Sequence, residues 1–315
     1  MMSLIDTLEI LIITYNHKPH LQETLMQLLA ENSPVKDIQI TVLDNCSTDG
    51  TSELIDSYCV QFPNVKHIRH NKNIGGNANI ARAFELAKKP YFWILADNDR
   101  YDFTHFDEVV NAIQTNKSII VVNTEETNGE KDILKILRHL TFLPACIYKQ
   151  DLVDEFTLRN VYDSIPTWFP HLSVICAAIN QGKEFFICPH NQIIQDNKNT
   201  DGYASLRVNR RLIPAQQYAF FDVGYLNALE MISDRKKRAK AVRYFTFSGR
   251  FFKSAKDTFK CNRLEHANYS RNLTGPWAVF STWQRIQFAA AILFDDICYF
   301  LKYPKYYLRR KKTKK

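Results

Sequence analysis

Paired cysteines at metal or redox spacing are missing from this chain: the seven cysteines, at 46, 59, 146, 176, 188, 261 and 298, form no CxxC motif. Their odd number and scatter fit thiols kept reduced, which points to a cytosolic compartment. No export signal is expected from the first residues. The N-terminus, MMSLIDTLEILIITYN, carries acids where a secretory peptide needs basic residues, and it runs into a strand-like segment. Glycine is absent from ITYNHKPH, the loop after the first apolar run, which argues against a nucleotidyltransferase with a glycine- and lysine-rich loop there. There is no internal repeat, and low complexity is confined to the terminal RRKKTKK. What is present, 45% hydrophobic and 13% aromatic residues in a chain of 315, suffices for a real core in one large domain or two ordinary ones.

Charge divides the chain. Residues 1–202 hold 26 Asp and Glu against 17 Lys and Arg, whereas 203–315 hold 7 against 24. The net charge of +8 therefore conceals an acidic part followed by a strongly basic one, two surfaces suited to different partners.

Three apolar runs in the first hundred residues each end in a polar, acidic turn: LEILIITYN (8–16), IQITVLDNCSTDGT (38–51) and YFWILADND (91–99). A short run, VKHIRH (65–70), reads as a further strand. Between them, HLQETLMQLLAEN (20–32), TSELIDSYCVQF (51–62) and IGGNANIARAFELAKK (74–89) have apolar residues at helical spacing. Alternating strand and helix predicts a mostly parallel sheet covered on both faces, with right-handed crossovers bringing the strand ends to one rim. That carboxyl rim is where open α/β folds bind ligands. Farther along, a helix is expected near 104–115, a strand at 118–124, a turn at 127–130, a strand passing into a helix over 143–156, and a helix over 168–182 ended by Gly182. EFFIC (184–188) and QIIQ (192–195) are expected to close the sheet, and aromatic-basic helical sequence takes over from about 205.

Each turn has a plain reading beside a chemical one. In DNCSTDGT, Asp44 ends a strand, Ser47 and Asp49 form a polar turn, Gly50 gives backbone freedom and Thr51 opens a helix; this suits a nucleoside or anion, or an ordinary helix start capped by Asp49 or Thr51. NKNIGGNANIARAF places two glycines before a helix, which lets backbone N–H groups approach a phosphate or simply forms a turn. Asp97 and Asp99, two apart after the buried run FWILA, suit Mg²⁺ or Mn²⁺ bound through carboxylate oxygen, or a solvated turn. The conjunction of all three turns, in order and each after a strand, favours the chemical reading.

The series ITYNH, VLDNCSTDGT, NKNIGGNANIARAFELA and FWILADND resembles the family 2 glycosyltransferases of GT-A fold, which use nucleotide-diphosphate sugars. The resemblance is strong over about 8–100 and weakens through about 200. It implies an α/β, Rossmann-like mixed and mostly parallel sheet, with a GT-A catalytic domain over 1–205 (donor half about 1–100, acceptor half about 101–205) and a basic, aromatic helical region over 206–315. It implies that Thr14, Tyr15, Asn16, Asp44 and Asn45 hold base and ribose, and that Asn73, Gly75, Gly76 and Arg82 lie against the nucleotide. Asp97 would contact the ribose and, with Asp99, the Mg²⁺ or Mn²⁺ that bridges to the diphosphate. The chain has DND where many relatives have DDD-like runs.

Such an ion would stabilise charge developing on the departing diphosphate, and a base must deprotonate the acceptor hydroxyl. Relatives place an acid at a helix start below the acceptor cleft. Candidates are Asp163, Asp154 and Glu155, with Asp163 favoured by the surrounding Tyr162, Pro166, Trp168 and Phe169. His171 is a second candidate base or a metal ligand, with a buried structural histidine as its alternative.

The basic part interleaves cations with Tyr and Phe over 235–260, and 277–310 joins Trp277 and Trp283 to a Lys/Arg cluster. Helices in the headgroup region of an anionic membrane are expected; a span over 277–301 is interrupted by Arg285 and Asp295-Asp296. A helical appendage with aromatic core and solvated cations is the plain alternative, and nucleic acid is disfavoured by the acidic N-terminal part. The reading as a whole is a glycosyltransferase of the cytoplasm, peripheral to the inner face of the cell membrane. It would move a sugar from a nucleotide-diphosphate donor to a lipid-linked or oligosaccharide acceptor in bacterial surface polysaccharide such as O-antigen, capsule or lipopolysaccharide. The alternative is a non-catalytic nucleotide-sugar-binding or membrane-scaffolding protein of the same fold.

Overall fold

The computed structural model describes residues 3–122, 127, 129–194, 223–246, 280 and 282–302. After a short helix α1 (Leu4–Thr7), strand β1 (Leu8–Thr14), helix α2 (Lys18–Leu28), β2 (Gln39–Asp44), α3 (Thr51–Gln61), β3 (Val65–Arg69), α4 (Gly76–Leu86) and β4 (Tyr91–Ala96) follow in the expected alternation. A two-residue strand β5 (Arg100–Tyr101), α5 (Asp107–Gln114), β6 (Ile119–Val121), α6 (Ile133–Ile136), β7 (Cys146–Lys149), α7 (Glu155–Asp163), α8 (Leu172–Asn180), β8 (Phe185–Ile187) and β9 (Ile193–Ile194) come next. Helices Val223–Leu229, Arg235–Thr246 and Thr282–Lys302 complete the described chain.

Seven strands form one sheet in the order β3-β2-β1-β4-β7-β6-β8. The pairs β3–β2, β2–β1 and β1–β4 are parallel, β4–β7 and β7–β6 antiparallel, and β6–β8 parallel. This is the mixed, mostly parallel α/β arrangement expected from the sequence. QIIQ departs from expectation: β9 pairs antiparallel with β5 in a separate ribbon, and only EFFIC, as β8, extends the main sheet. In the ribbon Arg100 lies opposite Ile194 and Tyr101 opposite Ile193, after the chain has left β4 through the Asp97–Asp99 turn.

Burial on both faces explains the apolar runs. Leu8, Ile10 and Ile12 of β1 enter one core cluster with Leu21, Leu25 and Leu28 of α2, while Leu11 enters the other with Phe84, Phe92 and Tyr148. In β4, Phe92 and Ile94 serve one face, and Tyr91, Trp93 and Leu95 the opposite face. Period-2 side chains with apolar partners above and below need continuous hydrophobic sequence. Each such side chain, fully buried, contributes roughly 1.5–3 kcal/mol. Trp93 also donates through Nε1 to the Pro144 carbonyl at 2.7 Å, so its one polar atom is satisfied.

An acid interrupts this core. Glu9, 1% exposed within β1, accepts the backbone N–H groups of Lys88 and Lys89 at the end of α4, the second at 2.6 Å, and the amide of Gln39 at 3.2 Å. The carboxylate thus satisfies donors of the chain entering β4. Farther along, Tyr225, Leu226, Val242 and Phe245 pack into the core with Leu172 and Val174 of α8. The expected division near 205 falls outside the described residues. Among the described residues, no helix is long and apolar enough to cross a membrane.

Candidate active site

Register brings the strand ends together. Thr14 lies opposite Asp44, Asp44 opposite Arg69, and Ile13 opposite Ala96, so the turns after β1, β2 and β4 open on one rim. Side chains then tie the turns to one another. Asn16 takes φ 51°, a conformation Asn tolerates better than most residues. Its Oδ1 accepts the Thr48 N–H at 2.8 Å, and its own N–H donates to Ser47 Oγ at 2.9 Å. Asp49 accepts the Lys18 and Thr51 N–H groups at 3.1 Å each. The first two turns are therefore one interlocked unit. Asp49 fills the anticipated cap-like role beside Gly50, whose φ of 87° begins α3.

Asp44 is fully buried. Its Oδ1 accepts the Ser47 N–H at 2.9 Å, while Oδ2 accepts the Ser52 hydroxyl and lies 3.4 Å from Arg69 Nε. Burial opposes its ionisation, but hydrogen bonds from Ser47 and Ser52 and the nearby His67 together hold its carboxyl below the usual range. Asp44 in this arrangement shapes the turn from within. Asn45, 2% exposed, reaches across: its Nδ2 donates to Asn73 Oδ1 at 2.9 Å, and its Oδ1 accepts the Ile74 N–H at 2.9 Å. Asn73 Oδ1 also accepts the Gly75 N–H at 2.8 Å. The glycine turn is thereby suspended from the second strand end.

Gly75 has φ 87° and ψ 151°, outside the range of L side chains, and Gly76 begins α4. No atom lies within 4 Å of the position a Cβ would take at either glycine, so this helix start faces open space. Tyr15 is 44% exposed at the same rim. Arg82, expected against the nucleotide, pairs with Glu85, which also accepts the Tyr162 hydroxyl.

Asp97 and Asp99, 7% and 6% exposed, close the third turn. Thr14 Oγ1 donates to Asp97 Oδ2 at 2.6 Å, His17 Nδ1 lies 3.1 Å from Asp97 Oδ1, and Thr24 Oγ1 donates to the Asp97 carbonyl at 3.1 Å. Burial, with the negative charges of Asp99 and Asp97 nearby, raises the Tyr101 hydroxyl well above its ordinary value. Asp99 borders a cavity of about 280 Å³ between this turn and α2, lined also by His20, Glu23 and Gln27. The two aspartates offer only carboxylate oxygen, the donor type that hard divalent ions take, so their chemistry fits Mg²⁺ or Mn²⁺.

The two candidate bases part company. Asp163 ends α7 and is exposed. Asn77 Nδ2 donates to the Ile165 carbonyl at 2.9 Å, which sets the end of α7 beside the Gly75–Gly76 turn. His171 is 2% exposed, and its Nε2 lies 3.1 Å from the Leu140 carbonyl. Burial lowers its pKa to about 4. It occupies the place of the structural alternative, inside the core and away from solvent, where it has no route to an acceptor hydroxyl. Asp154 caps α7 by accepting the Thr157 N–H at 2.7 Å, and Glu155 lies 3.3 Å from Arg159. His17 and Thr24, which hold Asp97, escaped the sequence reading. Thr24 leaves one signal, a polar residue on the same α2 face as Leu21, Leu25 and Leu28.

Comparison with known proteins gives a family. The family described as glycosyl transferase family 2 matches residues 9–195. The abequosyltransferase RfbV of Salmonella typhimurium is 36% identical over 88 residues, 27% of this chain and 26% of that protein. The poly(ribitol-phosphate) beta-glucosyltransferase of Bacillus spizizenii is 24% identical over 163 residues, 47% of this chain and 26% of that protein. The matched stretches thus span only about a quarter of these relatives' own length. Among solved structures, the mannosyltransferase PcManGT of Pyrobaculum calidifontis, in complex with GDP-Man and Mn²⁺, has a TM-score of 0.48 at 15% identity, covering 91% of this chain and 87% of that one. Residues 1–349 of S. aureus TarS in complex with UDP-GlcNAc give 0.47 at 13% identity, covering 84% and 93%.

Proposed function

Because this chain belongs to glycosyl transferase family 2, we propose that it moves a sugar from a nucleotide-diphosphate donor onto a lipid-linked or oligosaccharide acceptor, with Mg²⁺ or Mn²⁺ at Asp97 and Asp99. The observation that carries this reading is the junction of three turns at one rim, tied by the bonds Thr14 to Asp97 and Asn45 to Asn73. In this reading the base and ribose lie over Tyr15, Asn16 and the Asp44–Asn45 turn. The diphosphate meets the open N-terminus of α4, where free backbone N–H groups favour anions.

A bound divalent ion supplies positive charge where the diphosphate departs. The chain's own residues do the rest. Thr14 and His17 hold Asp97 by both oxygens, so Asp97 is a positioned carboxylate, and Asp99 stands beside the cavity. Asp163, exposed and next to the glycine turn, takes the acceptor proton in this reading.

The acceptor is a glycan of bacterial surface polysaccharide, a reading supported by the activities that the relatives' names state. The protein acts at the cytosolic face of a membrane. Support comes from helix Thr282–Lys302, which exposes Trp283, Ile286, Leu293, Phe294, Ile297 and Leu301 by 48% to 72%. A Lys/Arg-rich sequence follows that helix, a combination suited to anionic headgroups.

A thermal-shift screen of UDP-, GDP-, CDP- and dTDP-sugars with and without Mn²⁺ tests the donor. One nucleotide class should raise the melting temperature only when Mn²⁺ is present, and Asp99→Asn should remove that rise. A rise that Mn²⁺ does not affect, or that survives in Asp99→Asn, overturns the metal assignment.

A further inference from the structure

Beyond the cleft, His105, Glu108 and His190 each offer one ligand atom, and those atoms lie within 4.8 Å of one another. His105 precedes α5, Glu108 lies in its first turn, and His190 comes from the segment between β8 and β9. The His105 and His190 rings stack with centroids 3.8 Å apart and planes 17° apart. His190 Nδ1 lies 2.5 Å from Glu108 Oε1, and the His190 N–H donates to Glu108 Oε2 at 3.2 Å. Below them, fully buried Gln192 donates through Nε2 to the carbonyls of His105, at 3.2 Å, and His190, at 3.3 Å. One interior side chain thus fixes both histidine backbones at the distance that stacks their rings.

Two imidazoles and one carboxylate are the donor set of borderline divalent ions such as Zn²⁺, whose bonds to nitrogen and carboxylate oxygen are about 2.0–2.2 Å. Around a tetrahedral ion, such bonds put ligand atoms ~3.3 Å apart. In the cluster as it stands the ligand atoms lie within 4.8 Å of one another, with His190 Nδ1 and Glu108 Oε1 hydrogen-bonded at 2.5 Å. A turn of the His190 side chain, 55% exposed, breaks its direct bond to Glu108 and admits an ion between them, and that exposure leaves the fourth position to water. Imidazole also separates this cluster from the carboxylates of the cleft, because hard Mg²⁺ prefers oxygen.

We propose that His105, Glu108 and His190 form a structural site for a zinc-class divalent ion, which pins the segment before β9 to the start of α5. The two parts it joins lie 82 residues apart in sequence. The joined segment continues directly into β9, whose partner β5 begins at Arg100, the residue after Asp99. The Asp102 N–H donates to the Gln192 carbonyl at 2.9 Å, which extends that pairing towards the histidines. An ion here therefore braces the ribbon that leads out of the acidic turn.

Co²⁺ titration of the chelator-stripped full chain, read by visible absorption and reversed with Zn²⁺, tests this directly. Wild type should bind one Co²⁺ that Zn²⁺ displaces, and Zn²⁺ should raise its melting temperature. His190→Ala and Glu108→Gln should weaken Co²⁺ binding more than about a hundredfold and lose the Zn²⁺-induced rise, with metal-free melting close to wild type. Asp99→Asn should keep the Co²⁺ spectrum. If His190→Ala fails to fold, His190→Gln replaces it. Lack of stoichiometric Co²⁺ in wild type, a spectrum that survives at position 190, or its loss in Asp99→Asn overturns the site.

Discussion

Thr14 and Asp97, 83 residues apart, meet through a 2.6 Å hydrogen bond at the ends of β1 and β4. The hydroxyl fixes one carboxylate oxygen while His17 engages the other, so the acidic turn is oriented before any ligand arrives. Thr14→Val, close in shape and lacking the donor, should cost about 1–3 kcal/mol of stability and lower turnover roughly tenfold. Chemical denaturation and steady-state rates measure both. A rate unchanged in a destabilised variant would confine the bond to folding.

Asp99→Asn should reduce donor-dependent turnover at least about a hundredfold while leaving the melting temperature of the ligand-free protein nearly unchanged, because it removes charge where charge develops. Turnover with saturating Mn²⁺ checks it. Recovery of activity at high Mn²⁺ would show weakened affinity in place of lost stabilisation.

Asn45 serves two neighbours, Asn73 and the Ile74 N–H, from a nearly inaccessible position. Asn45→Ala should lower unfolding free energy by about 1–3 kcal/mol through the stranded donor. It should also raise donor KM more than it lowers kcat, since the glycine turn loses its support. Equal effects on kcat and kcat/KM would contradict a binding role.

His171 gives the fold a definite acid sensitivity. Its folded pKa of about 4 lies below the ordinary 6.5, so the unfolded chain takes up its proton first as pH falls. The neutral ring's contribution is complete above pH 6.5 and is lost as pH drops towards 4, about 3 kcal/mol in all. Urea unfolding across that interval should show the loss in wild type and a flatter profile in His171→Gln.

Glu9→Ala should lower stability by about 2–4 kcal/mol, because the Lys88 and Lys89 N–H groups lose their shared acceptor. Specific activity of the folded fraction should stay at the wild-type level. Stability curves paired with active-site titration separate the two.

The strand ends were legible because continuous apolar runs that stop at Asp, Asn and Ser are what a sheet buried on both faces requires. Thr14, Asp44, Asn45, Asp97 and Asp99 could therefore be assigned to one rim from spacing alone. Their mutual bonds could not be, since the direction of a side chain depends on partners tens of residues away. Asp44 looks inward and Arg82 turns to Glu85 for that reason. QIIQ was misplaced because two apolar residues read alike in an edge strand and in a separate ribbon. The His105, Glu108 and His190 cluster escaped notice altogether, as its members share no motif and meet only through the fold.

β4 belongs to both halves of the sheet on unequal terms. It pairs with β1 from Tyr91 to Ala96 but with β7 only from Tyr91 to Trp93, so the final turn-bearing stretch, Ile94 to Ala96, takes its register from β1 alone. Insertions or altered tilt in the antiparallel half need not disturb the carboxylates. The antiparallel half can therefore vary while the rim that carries Asp97 and Asp99 keeps its place.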